Sequence, residues 1–392
     1  MKDMQKKLND YGIRVHTDPS EIPSAAWDQL LANQDLPSPF MRHAYLQAMH
    51  DSGSAAPDTG WKPRFFSLWL GDELQAACPV YLKDHSYGEY VFDWAWANAY
   101  QQHGLRYYPK ALIAVPFTPV PGSRLLAASS EMRVLLLQAV LAWCEQENLS
   151  SMHMLFGSPA DLAASEELEL MARNTVQFHW HNLAWNDFDG FLSSLTQEKR
   201  KKIRQERRKV SDAGVSFRWS QGAEISPADW AFFYQCYERT YLEHGNAPYL
   251  TPAFFQTMQT HMPENWLLFI AEREGRPMAS SLIGIHGQGS NQAVAYGRYW
   301  GALERVDCLH FEACYYQPLQ WCIAHGVQRF EGGAQGEHKM ARALMPVSTH
   351  SAHWLADDRF AQAVANFLER EGQGVDNYMA HLDERNPFKR AD

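Results

Sequence analysis

The second half of the sequence gathers carboxylates and imidazoles that could act as proton acceptors. His310 and Glu312 open a predicted helix, and Glu337 and His338 follow a predicted strand. Acylation of an amine requires that the attacking nitrogen lose a proton, which a carboxylate or histidine with a pKa near neutrality can accept. These four residues are the candidate catalytic residues. For each one, an ordinary ion pair or helix cap is the alternative.

The same residues include the ligand types of a metal site. His310, Glu312 and His338 offer two imidazoles and a carboxylate, which suit zinc and related ions. Their spacing matches no recognised metal-binding motif, and a fixed spacing is what makes such a site readable from sequence. We therefore expect no bound metal.

Polar groups that could hold a substrate lie around these residues. Ligands of sheets with helical crossovers settle at the carboxyl ends of strands. That rule brings Arg298, Glu331 and the candidate catalytic residues toward one crevice. Gly332, Gly333 and Gly336 allow close backbone approach and leave N–H groups for an oxyanion, although the segment is not a phosphate-binding P-loop. The candidate binding residues of this half are Tyr296, Arg298, Gly333, Gln335, Gly336 and Lys339.

A strongly basic segment lies near the start of the second half. Lys199 to Lys209 contains eight cations and one Glu. Projected at helical spacing, its arginines share one side and nearby apolar residues another. The arginines are Arg200, Arg204, Arg207 and Arg208, and the apolar residues are Phe191, Leu192, Leu195, Ile203 and Val210. Arginine binds phosphate oxygens through paired N–H groups. A coenzyme pyrophosphate, a lipid-linked sugar pyrophosphate or a tRNA backbone would fit, and a solvated surface helix is the alternative.

Aromatic and polar residues also concentrate in three short segments of the first half, 85–96, 106–110 and 115–120. Read as a strand, the first segment turns Tyr90, Phe92, Trp94 and Trp96 to one face. Such a stripe is typical of a core, but a buried Asp93 beside it would need a partner. The candidate binding residues of this half are His85, Asp93, Trp94, Tyr108 and Thr118.

The elements that must position these residues recur in both halves. Each half has a predicted hairpin, at 64–83 and at 266–286, and then a strand–helix–strand unit. The units are 111–117, 131–148 and 151–156 in the first half and 293–300, 309–325 and 327–331 in the second. Strands joined by a helical crossover pair in parallel, so the fold class is α/β with mixed sheets flanked by helices.

The chain is long enough for two cores. Its 392 residues exceed one ordinary domain, and a predicted strand at Gln177–Trp185 closes the first half. We expect two domains, 1–185 and 186–392, with the basic helix near the start of the second. The tail after Asp357 predicts a surface helix that ends near Leu382.

Composition limits the class of protein. The net charge of −10 argues against a protein coated in nucleic acid, and the six cysteines form no C-x-x-C pair that would indicate a disulfide or zinc framework. Residues 1–10 lack an apolar leader region, and no apolar run is long enough to span a membrane. We expect a cytoplasmic protein, with peripheral membrane contact left open.

Several blocks of this sequence resemble the predicted N-acyltransferases of peptidoglycan biosynthesis or recognition. The blocks are Ser38-Pro39-Phe40 with His43, His85–Trp94, Pro116–Val120, Tyr296–Gly301, His310–Tyr316, Gly333–Lys339 and Ser351–Trp354. They extend over nearly the whole chain. The chain is identified as a member of that family, which is related to the Fem-type aminoacyltransferases.

The resemblance implies two tandem GNAT-like domains and transfer of an acyl or aminoacyl group to an amine. The amine belongs to a small molecule or a cell-wall precursor, and tRNA is a further partner to consider. Segment 199–209 is similar to the Lys/Arg-rich helix of the Fem-type enzymes. A non-catalytic recognition protein that binds cell-wall precursor or tRNA is the alternative function.

One segment departs from the pattern of acetyl-CoA-dependent members. Those carry a [QR]-x-x-G-x-[GA] loop, whose N–H groups at a helix start hold the pyrophosphate. Here residues 300–309 contain a single glycine, Gly301, and two acids, Glu304 and Asp307. Acyl-CoA, an aminoacyl-tRNA and another acyl donor therefore all stay open.

Overall fold

The computed structural model describes residues 11–334 and 336–389, in which strands and helices alternate along the chain. The strands are β1 (Gly12–His16), β2 (Trp61–Pro63), β3 (Phe65–Leu70), β4 (Glu73–Cys78), β5 (Val80–Lys83), β6 (Lys110–Ile113), β7 (Leu126–Ala127), β8 (Ser151–Met154), β9 (Met171–His181), β10 (Val215–Gln221), β11 (Trp266–Arg273), β12 (Arg276–His286), β13 (Val294–Ala302), β14 (Arg329–Ala334) and β15 (Met345–Leu355). Gln335, a predicted binding residue, and residues 1–10, for which no leader is predicted, lie outside the described ranges.

The helices occupy both halves of the chain. They are α1 (Ser24–Ala32), α2 (His43–Asp51), α3 (Trp94–Gln102), α4 (Ser130–Gln146), α5 (Pro159–Glu167), α6 (Phe188–Ser194), α7 (Gln197–Asp212), α8 (Pro227–Glu243), α9 (Pro252–His261), α10 (Leu309–Phe311, a π-helical turn Glu312–Tyr316, then Gln317–Ala324) and α11 (Asp358–Asp383). Short 3-10 turns lie at Pro19–Glu21, Pro39–Met41, Pro57–Thr59, Gly222–Glu224, Pro263–Asn265 and Glu337–Arg342.

Contacts divide the chain into two units. Unit 1 comprises Met1–Thr175 and Ser348–Asn377, and unit 2 comprises Val176–Val347 and Tyr378–Asp392. The division falls ten residues before the predicted boundary at 185/186. It also assigns most of β15 and α11 to unit 1, whereas the predicted second domain holds everything after residue 186. Sequence order alone could not show that the chain returns to its first unit.

Unit 1 contains two sheets. Strands β1, β3, β4 and β7 pair in that order, and strands β15, β8, β6, β5 and β2 pair in another. Strands β6 and β8 are parallel and are joined by α4, as the strand–helix–strand pattern predicts. Helix α4 starts where the Ser129 hydroxyl accepts the Met132 N–H, an N-cap arrangement. Its apolar face packs into the core with Phe66, Ile113 and Met152.

Unit 2 also contains a parallel pair of strands joined by a helix. Its strands follow the order β10, β11, β12, β13, β14 and β9, and only β13 and β14 pair in parallel among the registers described. Helix α10 crosses between those two strands. Its Tyr316 and Leu319 pack with Phe269, Ile283 and Phe330 in the core. The predicted hairpins and crossover helices of both halves are therefore confirmed.

Two predicted elements are wrong in detail. The aromatic segment 85–96 is not a strand, because helix α3 begins at Trp94, and Trp94 and Trp96 are not on one strand face. The predicted basic helix is also divided. Leu195 is extended between α6 and α7, so Phe191 and Leu192 lie on a different helix from Ile203, although all are buried.

A chain of buried polar groups holds one side of unit 1 together. The Nδ1 atoms of His153 and His353 share a hydrogen bond of 2.8 Å, and His153 Nε2 pairs with the Ser151 hydroxyl at 2.9 Å. Each histidine side chain is almost wholly buried. Burial and the nearby Lys110 ammonium lower the pKa of His153 to about 3, and burial with His153 lowers that of His353.

These depressed pKa values predict an acid-sensitive unit 1. Unfolded histidines titrate near pH 6.5, so the stability that the neutral pair contributes is fully present above that pH and is lost as the pH falls toward 3. We expect about 2 kcal/mol per histidine to be lost from the free energy of unfolding between pH 7 and pH 5. Chemical denaturation across this pH range measures the slope.

The matched comparison is H353Q against H103Q, because His103 is exposed on the end of α3. H353Q should reduce the slope of the free energy of unfolding against pH by the amount that corresponds to about one proton taken up on unfolding. H103Q should leave that slope unchanged. An equal slope in wild type and H353Q would contradict this assignment.

Candidate active site in unit 2

A small pocket opens where two parallel strands of unit 2 separate. The pairs between β13 and β14 run from Val294–Arg329 to Tyr296–Glu331, whereas β13 continues to Ala302 and β14 to Ala334. A pocket of about 130 Å³ lies in this gap. We call it the split pocket. Its lining is Ser281, Ile283, Gly297, Arg298, Tyr299, Trp300, His310, Cys314, Tyr315, Phe330 and Gly332.

A β-bulge in β13 shapes one side of the split pocket. The register of β12 with β13 shifts so that Leu282 faces Tyr299 and Ile283 faces Gly297, which leaves Arg298 as the additional residue. Bulges bend a strand and redirect a side chain, and they recur next to active sites. The Arg298 guanidinium lies 5.0 Å from the centre of the Tyr299 ring and donates to its hydroxyl at 3.2 Å.

Helix α10 supplies the opposite side. Its π-helical turn, Glu312–Tyr316, adds a residue to the helical repeat, a device frequent at functional sites. His310, Cys314 and Tyr315 of this helix line the pocket. The Tyr315 hydroxyl and His338 Nε2 share a hydrogen bond of 3.2 Å, and the centres of the His310 and His338 rings are 6.5 Å apart.

The two histidines are held in the neutral state. Burial and the positive charges around it lower the pKa of His310 to about 4. Partial burial, followed by Arg342 and Lys339, also lowers the pKa of His338 below its usual 6.5. Burial lowers the pKa of Lys339 to about 8. At neutral pH both imidazoles therefore have a free lone pair that can accept a proton.

The turn after β14 places His338. Gly336 adopts a φ of 110°, and a Cβ there would lie 2.6 Å from the His338 ring. Lys339 is buried and donates from Nζ to the Gly333 carbonyl at 2.9 Å. Arg342 donates to the His338 carbonyl at 2.6 Å. The predicted glycines thus shape the loop, and Lys339 ties the loop to the strand.

Glu312 lies outside the split pocket. Its carboxylate accepts from Arg207 Nη2 at 2.9 Å and from Gln317 at 2.7 Å, and its side chain is 5% exposed. Glu312 lines instead a neighbouring pocket of about 410 Å³ with Arg207, Arg208 and Ser211 among others. Glu312 and His338 were predicted to lie in one crevice. That prediction is wrong for Glu312, because Arg207 holds its carboxylate at the neighbouring pocket.

Other predicted members of that crevice also have different partners. Glu337 accepts from the Tyr378 hydroxyl and from Arg385, each at 2.8 Å, at the surface. Glu331 is buried and accepts from Arg329 at 3.0 Å. Tyr296 is buried as well. Of the four candidate catalytic residues, only His310 lines the split pocket, and His338 is joined to that lining through its hydrogen bond with Tyr315.

The basic helix α7 is anchored by an acid. Its buried residues are Ile203, Glu206 and Val210. The Glu206 carboxylate accepts from Arg342 at 2.8 Å and also from the Tyr316 hydroxyl. Because Arg342 also holds the His338 carbonyl, Glu206 links the basic helix to the loop that carries His338.

The arginines of α7 have different surroundings. Arg207 is engaged with Glu312, so it is not free to bind phosphate as predicted. Arg204 is exposed and lies 3.6 Å from Asp189. Arg208 is exposed and Arg200 half-buried. These three arginines form the accessible basic stripe of α7.

The predicted binding residues of the first half lie in unit 1. Asp93 is buried and accepts a hydrogen bond from the Tyr107 hydroxyl at 2.6 Å and another from Lys110, which are the partners that a buried carboxylate requires. Burial opposes its ionisation, but Lys110 and His153 outweigh burial and hold the pKa of Asp93 below its usual range.

The remaining predicted residues of unit 1 have structural partners of several kinds, and the rings of His85 and Trp94 both contact Tyr87. His85 pairs with the Thr59 carbonyl at 3.2 Å, and Trp94 is exposed at the start of α3. Thr118 is buried and donates to the Pro116 carbonyl at 2.9 Å. Tyr108 pairs with the Ser86 hydroxyl at 2.9 Å.

Sequence reasoning missed two parts of the site. Tyr315 stands in the segment 310–316 but carries no signal that distinguishes it from the core tyrosine beside it. Ser281 and Phe330 lie on strands whose apolar alternation predicts only a core.

In the described ranges, no group of three or more His, Cys, Asp or Glu residues is arranged to hold a metal ion. Nor does any helix there have the length and apolarity needed to cross a membrane.

Comparisons with known proteins agree with this architecture. The model of the FemAB-like family, described as peptidoglycan biosynthesis/recognition, matches residues 18–390. No curated protein matches the sequence. The crystal structure of FemX is similar with a TM-score of 0.52 and 11% identity, covering 88% of this chain and 98% of FemX.

A second structural relative has the same degree of likeness. L-PGS from Bacillus licheniformis has a TM-score of 0.53 and 11% identity, covering 89% of this chain and 96% of that one. At such identities the likeness concerns the fold. The predicted family is confirmed by the family model, and the predicted mixed α/β fold class agrees with the fold of these structures.

The ion pair between Arg207 and Glu312 leads to a stability prediction. R207A would leave the buried Glu312 carboxylate with Gln317 alone, and we expect a loss of about 2 kcal/mol in the free energy of unfolding, less than for a fully buried pair because Arg207 is partly exposed. R208A, one position along and exposed, should change it by less than about 0.5 kcal/mol. Denaturant titration measures both. Equal losses in R207A and R208A would show that the ion pair between Arg207 and Glu312 contributes nothing to the free energy of unfolding.

Proposed function

The chain belongs to the FemAB-like family of peptidoglycan biosynthesis/recognition, and from that premise we propose that it transfers an acyl or aminoacyl group to an amine of a cell-wall precursor. The reacting centre in this proposal is the split pocket. The observation that carries it is the pocket between the separated strands, whose lining residue Tyr315 is hydrogen-bonded to His338.

His338 acts in this proposal as the general base. Its Nε2 atom accepts the proton of the attacking amine by way of the Tyr315 hydroxyl, which lies between the pocket and the imidazole. The amine nitrogen then bonds to the carbonyl carbon of the donor as the bond to the leaving oxygen or sulfur breaks. The imidazolium returns the proton to that leaving atom. A base of this kind contributes about 10²–10⁴-fold to the rate.

The separated strands supply the oxyanion site. Beyond Tyr296, the backbone of β13 no longer pairs with β14 in the described register, and unpaired N–H groups at a pocket are suited to a developing negative charge. The bulge at Arg298 places a guanidinium on the same strand. These groups would stabilise the tetrahedral intermediate and orient a carboxylate or phosphate of the substrates.

In the described part of unit 1, the space beyond the corresponding parallel strands is occupied by buried residues. Strands β6 and β8 pair in parallel to Ile113 and Met154, and residues 114–127 beyond them are almost all buried. The Arg124 guanidinium donates to the carbonyls of Leu155 and Val120 at 2.9 and 2.5 Å. Arg124 and its own loop thus fill the space after these strands, which supports the choice of unit 2 as the catalytic unit.

The phosphate contacts that unit 2 can make support one choice of acyl donor. The loop after β13 carries Glu304, which pairs with Arg273, and Asp307, so it presents acids where a pyrophosphate loop would present N–H groups. The basic stripe of α7 is the alternative place for phosphates. We propose a charged tRNA, whose backbone tracks a basic helix, in preference to acyl-CoA. The predicted cytoplasmic location and amine acceptor remain parts of this proposal.

Replacement of the proposed base tests the mechanism. H338A should lower kcat for aminoacyl transfer about 100-fold or more, and Y315F should lower it less. E312Q should keep the rate within about threefold of wild type, because Glu312 lies outside the split pocket and Gln can still accept hydrogen bonds from Arg207 and Gln317. Single-turnover transfer from charged tRNA to an amine precursor measures each rate.

The pH dependence of the transfer rate further distinguishes His338 from Glu312 as the base. Because the pKa of His338 is lowered, the rate should fall only below pH 6.5 in wild type. Loss of transfer in E312Q with retention in H338A would refute the assignment. Binding of precursor with no turnover in wild type would favour the recognition function that the family description also includes.

Replacement of the basic stripe tests the donor. The triple variant R200A/R204A/R208A should weaken tRNA binding and reduce the slope of log Kd against log salt by about three, or one per lost phosphate contact. Fluorescence anisotropy of labelled tRNA at several salt concentrations measures this slope.

A matched variant carries the same change of charge elsewhere in unit 2. R239A/R276A/R305A alters three exposed arginines outside α7, and its slope should equal that of wild type. Equal slopes for both triple variants would exclude α7 as the phosphate site, and saturable binding of acyl-CoA instead of tRNA would replace the proposed donor.

A further inference from the structure

A larger pocket lies in unit 1 and shares no lining residue with the split pocket. Its volume is about 730 Å³. It lies at the C-terminal end of α4, where Glu145, Glu147 and Asn148 line it, and at the segment from Leu105 to Pro109. The C-terminal end of a helix carries a partial negative charge from its unpaired carbonyl groups, which favours a cation.

The charges of the pocket favour a cation as well. Glu145 and Glu147 are exposed and, within the described part of the chain, neither side chain has a hydrogen bond or ion pair with another residue. Asp357 is a third carboxylate of the lining and is paired with Arg359. Arg106 is the one cation among the lining residues. Because Arg359 balances Asp357, the carboxylates of Glu145 and Glu147 against the Arg106 guanidinium leave the lining negative.

Aromatic rings form the remaining walls. Tyr100, Tyr108 and Trp354 line the pocket, and ring faces attract ammonium groups and apolar chains alike. Tyr100 is 3% exposed, and its hydroxyl oxygen has no hydrogen-bond partner in the described residues. Burial and the charge of Asp357 raise the pKa of Tyr100 to about 12, so this hydroxyl lies near a carboxylate of the lining and stays protonated.

A buried network fixes these walls from behind. The Tyr108 hydroxyl pairs with the Ser86 hydroxyl, which accepts from Lys110 Nζ at 2.8 Å. On the other wall, Ser150 pairs with Ser151 at 3.3 Å, and Ser151 pairs with His153 at 2.9 Å. These contacts hold the Tyr108 ring and the Ser150 segment of the lining in place without a ligand, which lowers the entropic cost of binding.

We propose that this pocket binds a primary ammonium group carried on an apolar chain. The carboxylates of Glu145 and Glu147 and the Tyr100 oxygen would accept the three N–H groups, and the rings of Tyr108 and Trp354 would contact the chain. This site is additional to the transferase activity proposed for unit 2 and does not depend on it.

The experiment uses the full chain and two probes of nearly the same size and shape. Ligand-observed NMR titration compares 1-aminopentane, which is charged at pH 7, with 1-pentanol, which is neutral. We expect saturable binding of the ammonium compound and none of the alcohol. Equal binding of both compounds, or no saturable binding of either, would overturn the proposal.

Paired variants identify the residues. E145Q/E147Q should raise the Kd of 1-aminopentane about tenfold or more, since two charge-assisted hydrogen bonds are lost. E166Q/E167Q removes two exposed charges of α5 in the same unit and should leave the Kd within about twofold. An equal change in both variants would show attraction by net charge alone and would refute a defined site.

Tyr100 provides an independent check. Y100F removes only the hydroxyl and leaves the ring contact with Phe360, so the unit should remain folded. We expect the Kd to rise several-fold, because one acceptor of the ammonium group is lost. An unchanged Kd in both Y100F and E145Q/E147Q would place the ligand elsewhere and overturn the proposal.

Discussion

The separation of β13 from β14 is the constraint around which unit 2 is organised. Parallel strands that stop pairing leave backbone N–H and carbonyl groups that must find other partners. Lys339 satisfies one of them at the Gly333 carbonyl, and the bulge at Arg298 turns β13 away. Gly332 has no side chain, and a Cβ there would lie 2.5 Å from Leu344. What is left open between the strands is the split pocket.

The electrostatics of the site depend on how the surrounding elements are tied to this gap. Glu206 of the basic helix holds Arg342, and Arg342 holds the backbone of His338 and lies 3.5 Å from the centre of the Phe311 ring. Partial burial, and after it the Arg342 and Lys339 cations that position the His338 loop, lower the pKa of its imidazole. The imidazole is therefore neutral at physiological pH.

The sequence predicted the parts of this arrangement that depend on local periodicity. Hairpins, crossover helices and the terminal helix have regular apolar spacing, and the basic helix has its charge. The π-helical turn and the bulge depend on tertiary packing, so no spacing indicates them. His310 and His338 were proposed from residue type and from their positions near strand ends. Glu312 was misplaced, because its partner Arg207 is 105 residues away, and the pairing of His153 with His353 spans 200 residues.

The central claim, that transfer occurs in the split pocket, is tested most directly by filling it. Cys314 lines that pocket, and Ser211 lines the neighbouring pocket of Glu312. The measurement is the single-turnover rate of aminoacyl transfer in C314F and S211F, with circular dichroism and thermal melting to confirm that each variant folds. The account predicts that C314F abolishes transfer and S211F preserves it. Transfer at the wild-type rate in a folded C314F protein would contradict the account.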